Sequence, residues 1–216
     1  MNEEEHLQDK DVYQEALLKG NRKKASEIAK KYGSTHEDIK FLYECIIKPS
    51  LYKVGEMWEY NIITVAAEHL ATSISESVMN ELYENIIAEN RTERRVVLGC
   101  IENEYHQVGI KMIADVFEMH GWDTFFLGSN IPMNEFIKFT QDNEPHLIAL
   151  SLSIYSHINN LEAMINKIRE TLPGITIIVG GQSFLHGGIE ILEKYNHVIL
   201  LNNISSLEKY ILSLNK

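Results

Sequence analysis

Two rhythms of hydrophobic and polar positions run along this chain. Up to residue 92 apolar side chains recur every three or four residues, the spacing of one helical face. Residues 11–18 read as the later part of a first helix, stopped near Gly20. Residues 21–31 read as a second, followed by Gly33. Ser34 and Glu37 have the S-x-x-E spacing of a capping box, which should open a third helix carrying Ile39, Leu42 and Ile46. Pro49 lacks an N–H and its ring crowds the preceding turn, so a kink or break is expected at Lys48, with a new helical segment over 50–60. The longest helix should begin near Thr64, with Leu70, Ile74, Val78, Leu82 and Ile86 as its core stripe. Polar residues 89–93 read as a linker. Residues 1–92 therefore predict a four-helix-type bundle.

From residue 95 the rhythm changes. Apolar β-type runs at 95–101, 124–127, 147–152, 176–179 and 197–201 alternate with amphipathic segments at 107–120, 133–141, 159–172, 185–194 and 204–214. Five strands alternating with five helices predict a parallel, doubly wound, flavodoxin-like sheet over 93–216. The fold class is thus α plus α/β, a helical domain followed by a five-stranded one. Such sheets bind ligands beyond the carboxyl ends of their strands, near a topological switch point. The loops of interest are then 102–109, 128–132, 151–157 and 180–188.

Composition narrows the function. Of 216 residues, 20 are Lys or Arg and 31 are Asp or Glu, a net charge of −11 with His neutral. That balance disfavours nonspecific binding to nucleic acid or an anionic membrane surface. No apolar run approaches the ~18–20 residues of a membrane span. The acidic start through Glu3, Glu4 and Glu5 is unlike a signal peptide. Cys45 and Cys100 each sit among apolar residues and form no disulfide framework, which suits a reducing cytoplasm.

The loop after the first strand carries candidate chemistry. Its Glu104-Tyr105-His106-Gln107-Val108-Gly109 places a carboxylate two residues before an imidazole. Such a carboxylate can take one ring N–H, fix the tautomer and raise the basicity of the other nitrogen toward a metal. Gly109 leaves room for a large ligand near the backbone. A lone loop histidine is more commonly a solvated residue; spacing changes that. After Gly109 come 41 residues, then Ser151-Leu152-Ser153; after another 26 come Gly180-Gly181.

This pattern resembles the cobalamin-binding domain signature D-x-H-x-x-G, x41, S-x-L, x26–28, G-G. The resemblance implies that His106 is the lower axial ligand of cobalt and Glu104 its carboxylate partner. It implies that Ser151 hydrogen-bonds the buried tail base, and that Gly180 and Gly181 let the backbone come close to it. Two positions depart from the pattern. Glu104 replaces Asp, which lengthens the reach to His106. Ser153 replaces Leu, which alters the lining of the tail slot.

The helical half carries Trp58, then nine residues, then Glu68-His69, with Val65 between. This is similar to the W-x9-E-H cap of the adenosylcobalamin photoreceptor family, light-responsive regulators of transcription. Read on its own, Trp58 follows Leu51 and Val54 at helical spacing and suits a core position. The resemblance implies instead that Trp58 packs on the adenosyl group, that Glu68 contacts its ribose, and that Val65 and His69 belong to the same face. Some members carry a second histidine directly after the Trp; Glu59 stands there here. The regulators often carry an N-terminal helix-turn-helix domain, whereas cap sequence here already occupies the first 20 residues. Direct nucleic-acid binding is therefore not expected, and output is expected through a protein partner or a homo-oligomer. The function expected is a cobalamin sensor rather than an enzyme, with adenosylcobalamin as cofactor. The alternative is the methylcobalamin-carrying corrinoid subunit of a methyltransferase system.

Overall fold

Gly20, at φ +67, ends the first helix in this computed structural model, which describes residues 3–214. Helix α1 (Glu3–Leu18) closes with the Gly20 N–H on the Leu17 carbonyl at 3.0 Å and Asn21 N–H on Ala16 at 2.8 Å. Asn21 then caps α2 (Arg22–Lys30), its side chain accepting from Lys24 N–H at 3.1 Å.

Helix α3 (His36–Phe41) starts one register later than the expected box. Thr35, not Ser34, is the cap, and its hydroxyl accepts from the Asp38 N–H at 3.1 Å. Thr35 is extended (φ −135, ψ 160), which aims its oxygen back over the first turn. Pro49 does not break the chain. Residues Leu42–Ile47 form a wide π-type turn that runs directly into α4 (Lys48–Glu59), with right-handed helical dihedrals through Ile47 and Lys48. The wider turn shifts the carbonyl register where a proline ring would otherwise clash.

Thr64 caps α5 (Val65–Asn80). Its buried side is Ala71, Ile74, Ser75, Val78 and Met79, and Leu82 and Ile86 are buried beyond its end. Leu70 is not part of the stripe and is 47% exposed. Four-residue steps drift about 40° each around a 3.6-residue helix, so an evenly spaced set leaves the core face. Helix α1 packs on α2, α4 and α5 around Tyr13, Leu17, Ile28 and Tyr32. The Tyr13 hydroxyl donates to Ser75 Oγ at 3.2 Å, and burial pushes its phenol up to about 12 against the lowering effect of that bond. Cys45 is exposed rather than apolar-packed, while Cys100 is buried.

The chain divides after Ile87 rather than at residue 92. Residues 88–92 bond to the following unit: Ala88 N–H meets Glu118 O at 3.3 Å, Thr92 N–H meets Gly121 O at 2.6 Å, and Arg91 pairs with Glu118 at 2.6 Å.

That unit is a parallel sheet of β1 (Arg95–Cys100), β2 (Asp123–Phe126), β3 (Leu147–Ser151), β4 (Thr176–Gly180) and β5 (Val198–Leu200), ordered β2-β1-β3-β4-β5. The order reverses between β1 and β3, which makes their carboxyl ends the switch point. Register places Cys100 beside Ser151, and Ser151 beside Gly180. Helices α6 (Val108–Met119), α7 (Met133–Asn143), α8 (Ile158–Thr171), α9 (Ile189–Leu192) and α10 (Ile204–Leu214) complete the winding. The expected helix over 185–194 shrinks to α9, because Gly187 (φ +124) and Gly188 (φ +87) hold the chain outside helical space. Among the described residues no helix is long and apolar enough to cross a membrane.

Candidate functional site

The protein's own hydrogen bonds hold the β1–α6 loop in shape. Asn103, at φ +69, turns the chain, and its N–H donates to Asn130 Oδ1 at 2.9 Å. Asn130 N–H in turn meets the Glu104 carbonyl at 2.8 Å. Glu104 is fully buried. Its Oε1 accepts from the His106 backbone N–H at 3.0 Å and lies 2.5 Å from His106 Nδ1. Its Oε2 accepts from the N–H groups of Ser153 at 2.8 Å and Ile154 at 3.0 Å. Burial pushes this carboxyl up; the bonds from the His106 ring and from the His106, Ile154 and Ser153 amides outweigh it and hold it at about 2. A carboxylate so held only accepts, so Nδ1 of His106 donates to it and turns Nε2 away from Glu104. The His106 side chain is 43% exposed.

Ser151 ends β3 and is buried, and among the described residues its hydroxyl takes no hydrogen-bond partner. Ser153 contributes a backbone donor to Glu104. Gly109 lies in the first turn of α6, where an added Cβ would meet nothing within 4 Å. Gly180 and Gly181 differ from it. A Cβ on Gly180 would lie 2.9 Å from the Leu201 carbonyl, and one on Gly181, at φ +121, would strike the Leu152 peptide. Both are demanded by the chain's own backbone, whatever else approaches them.

In the helical unit, Trp58 lies near the end of α4 and is 42% exposed, outside the core where its spacing after Leu51 and Val54 would place it. Val65, at the start of α5, is also exposed. Glu68 accepts from Thr72 Oγ1 at 2.9 Å and lies 2.6 Å from His69 Nδ1, so the three share one helical face. Glu59 is exposed.

Three contributors escaped the sequence reading. Ile154 donates only a backbone N–H, which no residue pattern announces. Asn103 and Asn130 are both asparagines at positive φ, and paired asparagines in facing loops were the available signal.

Among the described residues no group of three or more His, Cys, Asp or Glu side chains could hold a metal ion. The site offers one imidazole on a buried anion, with the Ser151 hydroxyl at the end of β3 and an open glycine in the first turn of α6. That set fits a metal that arrives inside its own macrocycle and needs a single axial ligand.

Comparison with known proteins agrees. One family model for a B12 binding domain matches residues 94–199, and a second matches residues 10–83. The chain belongs to the B12-binding family, and cobalamin is its cofactor. It is 27% identical over 140 residues to the HTH-type transcriptional repressor CarH of Myxococcus xanthus, covering 64% of this chain and 46% of that protein. The chain thus spans less than half the length of that relative. It is 23% identical over 161 residues to trimethylamine corrinoid protein 1 of Methanosarcina acetivorans, covering 72% of this chain and 74% of that one. The structure of the Methanosarcina barkeri monomethylamine corrinoid protein superposes with a TM-score of 0.79 at 14% identity, over 96% of this chain and 99% of that one.

Proposed function

We propose that this protein binds adenosylcobalamin and acts as a sensor, responding to cleavage of the cobalt–carbon bond by light and signalling through a protein partner or a change of homo-oligomeric state. The observation that carries the reading is the Trp58 face. A large aromatic side chain left 42% exposed contributes little to the packing of its own helical unit. It offers a flat apolar surface to an adenine ring. Glu68, fixed by Thr72 and His69, offers an acceptor to a ribose hydroxyl. In the α/β unit His106 would hold the cobalt through its imidazole, Glu104 would orient that ring, and Ser151, with Ser153 beside it, would offer a hydroxyl to the tail base. Gly109, Gly180 and Gly181 let backbone approach the cofactor. Bound cobalamin supplies the cleavable bond; the residues supply orientation. Similarity to a transcriptional repressor supports a regulatory output.

The second reading is a methyl carrier, and the near-complete overlap with a corrinoid protein fold favours it. The two differ in the upper ligand. Wild type and Trp58→Ala are reconstituted in darkness with adenosyl- and methylcobalamin, then illuminated while absorbance and hydrodynamic size are followed. The sensor reading expects Trp58→Ala to weaken adenosylcobalamin binding more than methylcobalamin binding, and light to change size or partner binding. Equal losses with no response to light would leave the carrier.

A further inference from the structure

The Glu104 carboxylate bonds to two loops at once. Oε1 serves the β1–α6 loop through the backbone and ring of His106, and Oε2 serves the β3–α8 loop through the amides of Ser153 and Ile154. Strands β1 and β3 are neighbours, with Cys100 beside Ser151, so these loops leave the sheet side by side. Four N–H groups surround two oxygens, and the side chain is 0% exposed, so water does not compete for them. We propose that Glu104 is a positioning residue that ties the two loops together, holding His106 and residues 151–154 in a fixed mutual arrangement before any corrinoid arrives.

The residue type fits this role. An Asp at position 104 would draw the carboxylate back by one C–C bond, about 1.5 Å. From there it would still reach His106, two residues away, but would fall short of the Ser153 and Ile154 amides. The longer side chain therefore adds a second attachment. Loops that are already ordered do not have to lose conformational entropy when the cofactor binds.

The test needs no cofactor in its first arm. Amide hydrogen exchange is measured on the cofactor-free full chain for wild type, Glu104→Ala, Glu104→Asp and His106→Ala, with strand amides of β1 and β3 as the control for folding. Glu104→Ala and Glu104→Asp should speed exchange at Ser153 and Ile154 at least about tenfold, the scale of one lost charge-assisted bond. His106→Ala should leave both amides protected, because the Oε2 bonds do not involve the ring. Wild-type exchange in Glu104→Asp, or equal loss of protection in His106→Ala, would overturn the proposal.

The second arm rests on the cobalamin reading. Wild type and Glu104→Asp are mixed with cobinamide, which lacks the nucleotide tail, and with cobalamin. Wild type should show the imidazole-ligated absorbance with both, since His106 is held without help from the tail. Glu104→Asp should show it fully only with cobalamin. If wild type binds neither corrinoid, the cobalamin reading fails while the exchange result still decides the tie. If Glu104→Asp matches wild type with cobinamide, the tie fails.

Discussion

Replacing Gly181 by alanine tests whether the paired glycines serve the chain or a ligand. Gly181 sits at φ +121 and ψ 167, a region essentially closed to residues with a Cβ. An added Cβ would lie 2.7 Å from the Leu152 carbonyl carbon and 2.9 Å from its nitrogen, and nearer still to the oxygen. That peptide has little freedom to retreat. Its N–H donates to Gly180 O at 3.0 Å, and its carbonyl accepts from Ser183 Oγ at 2.8 Å and from Ser183 N–H at 3.3 Å. The conformational penalty is roughly 1–3 kcal/mol and the overpacking another 1–3, so Gly181→Ala should cost about 2–6 kcal/mol. A typical domain has only about 5–15 kcal/mol in total. With a urea slope of about 2 kcal/mol per molar, the midpoint should fall by about 1–3 M. The assay is urea unfolding of the cofactor-free protein in a Trp58→Phe background. Trp122, fully buried in the α/β unit and one of two tryptophans, then reports that unit alone. An unchanged midpoint would refute the reasoning and return Gly181 to the ligand.

Three further outcomes are expected. Gly109→Ala, whose Cβ meets nothing within 4 Å, should leave cofactor-free stability unchanged or raised by up to about 1 kcal/mol, while weakening cobalamin uptake measured by absorbance. Glu104 binds its proton more weakly when folded, at about 2 against 4.5, so its contribution of about 3 kcal/mol is present above pH ~4.5 and lost as pH falls toward 2; Glu104→Gln should lack this slope in acid unfolding followed by circular dichroism. Ser50 is fully buried and among the described residues its hydroxyl has no partner, so Ser50→Ala should stabilise the helical unit by about 1 kcal/mol in thermal unfolding.

The strands and most helices of residues 95–214 were legible because each apolar run is short and bounded by turn residues and each of those helices shows one apolar face; the segment 185–194 was misjudged because its paired glycines interrupt it. Sheet order was not legible, since pairing is non-local and periodicity is blind to it. Ser34 and Thr35 each have an acid three residues on, so the pattern offered two caps, and only the extended backbone at Thr35 decides between them. Pro49 read as an interruption because the wide turn that absorbs it has no residue signature. At the site the carboxylate–imidazole pair was legible from its two-residue spacing. The amides of Ser153 and Ile154 were not, because a backbone donor has no identity in a sequence.

The glycines mark where sequence reasoning must give way. Gly109, Gly180 and Gly181 look alike in a motif, and each can be explained by a ligand passing close. In the fold they separate. A Cβ on Gly180 or Gly181 would collide with the chain's own peptides, so packing alone requires glycine there. Nothing in the protein requires it at Gly109, in a helix where alanine would cost less. The same distinction applies to hydroxyls: Ser183 is satisfied by the Leu152 carbonyl, whereas buried Ser151 takes no partner among the described residues. A residue that the fold does not need is stronger evidence for a ligand than one the fold already explains. The case for a cofactor at this edge therefore rests on His106, Ser151 and Gly109, and the Gly180-Gly181 pair adds the turn that brings β4 back beside them.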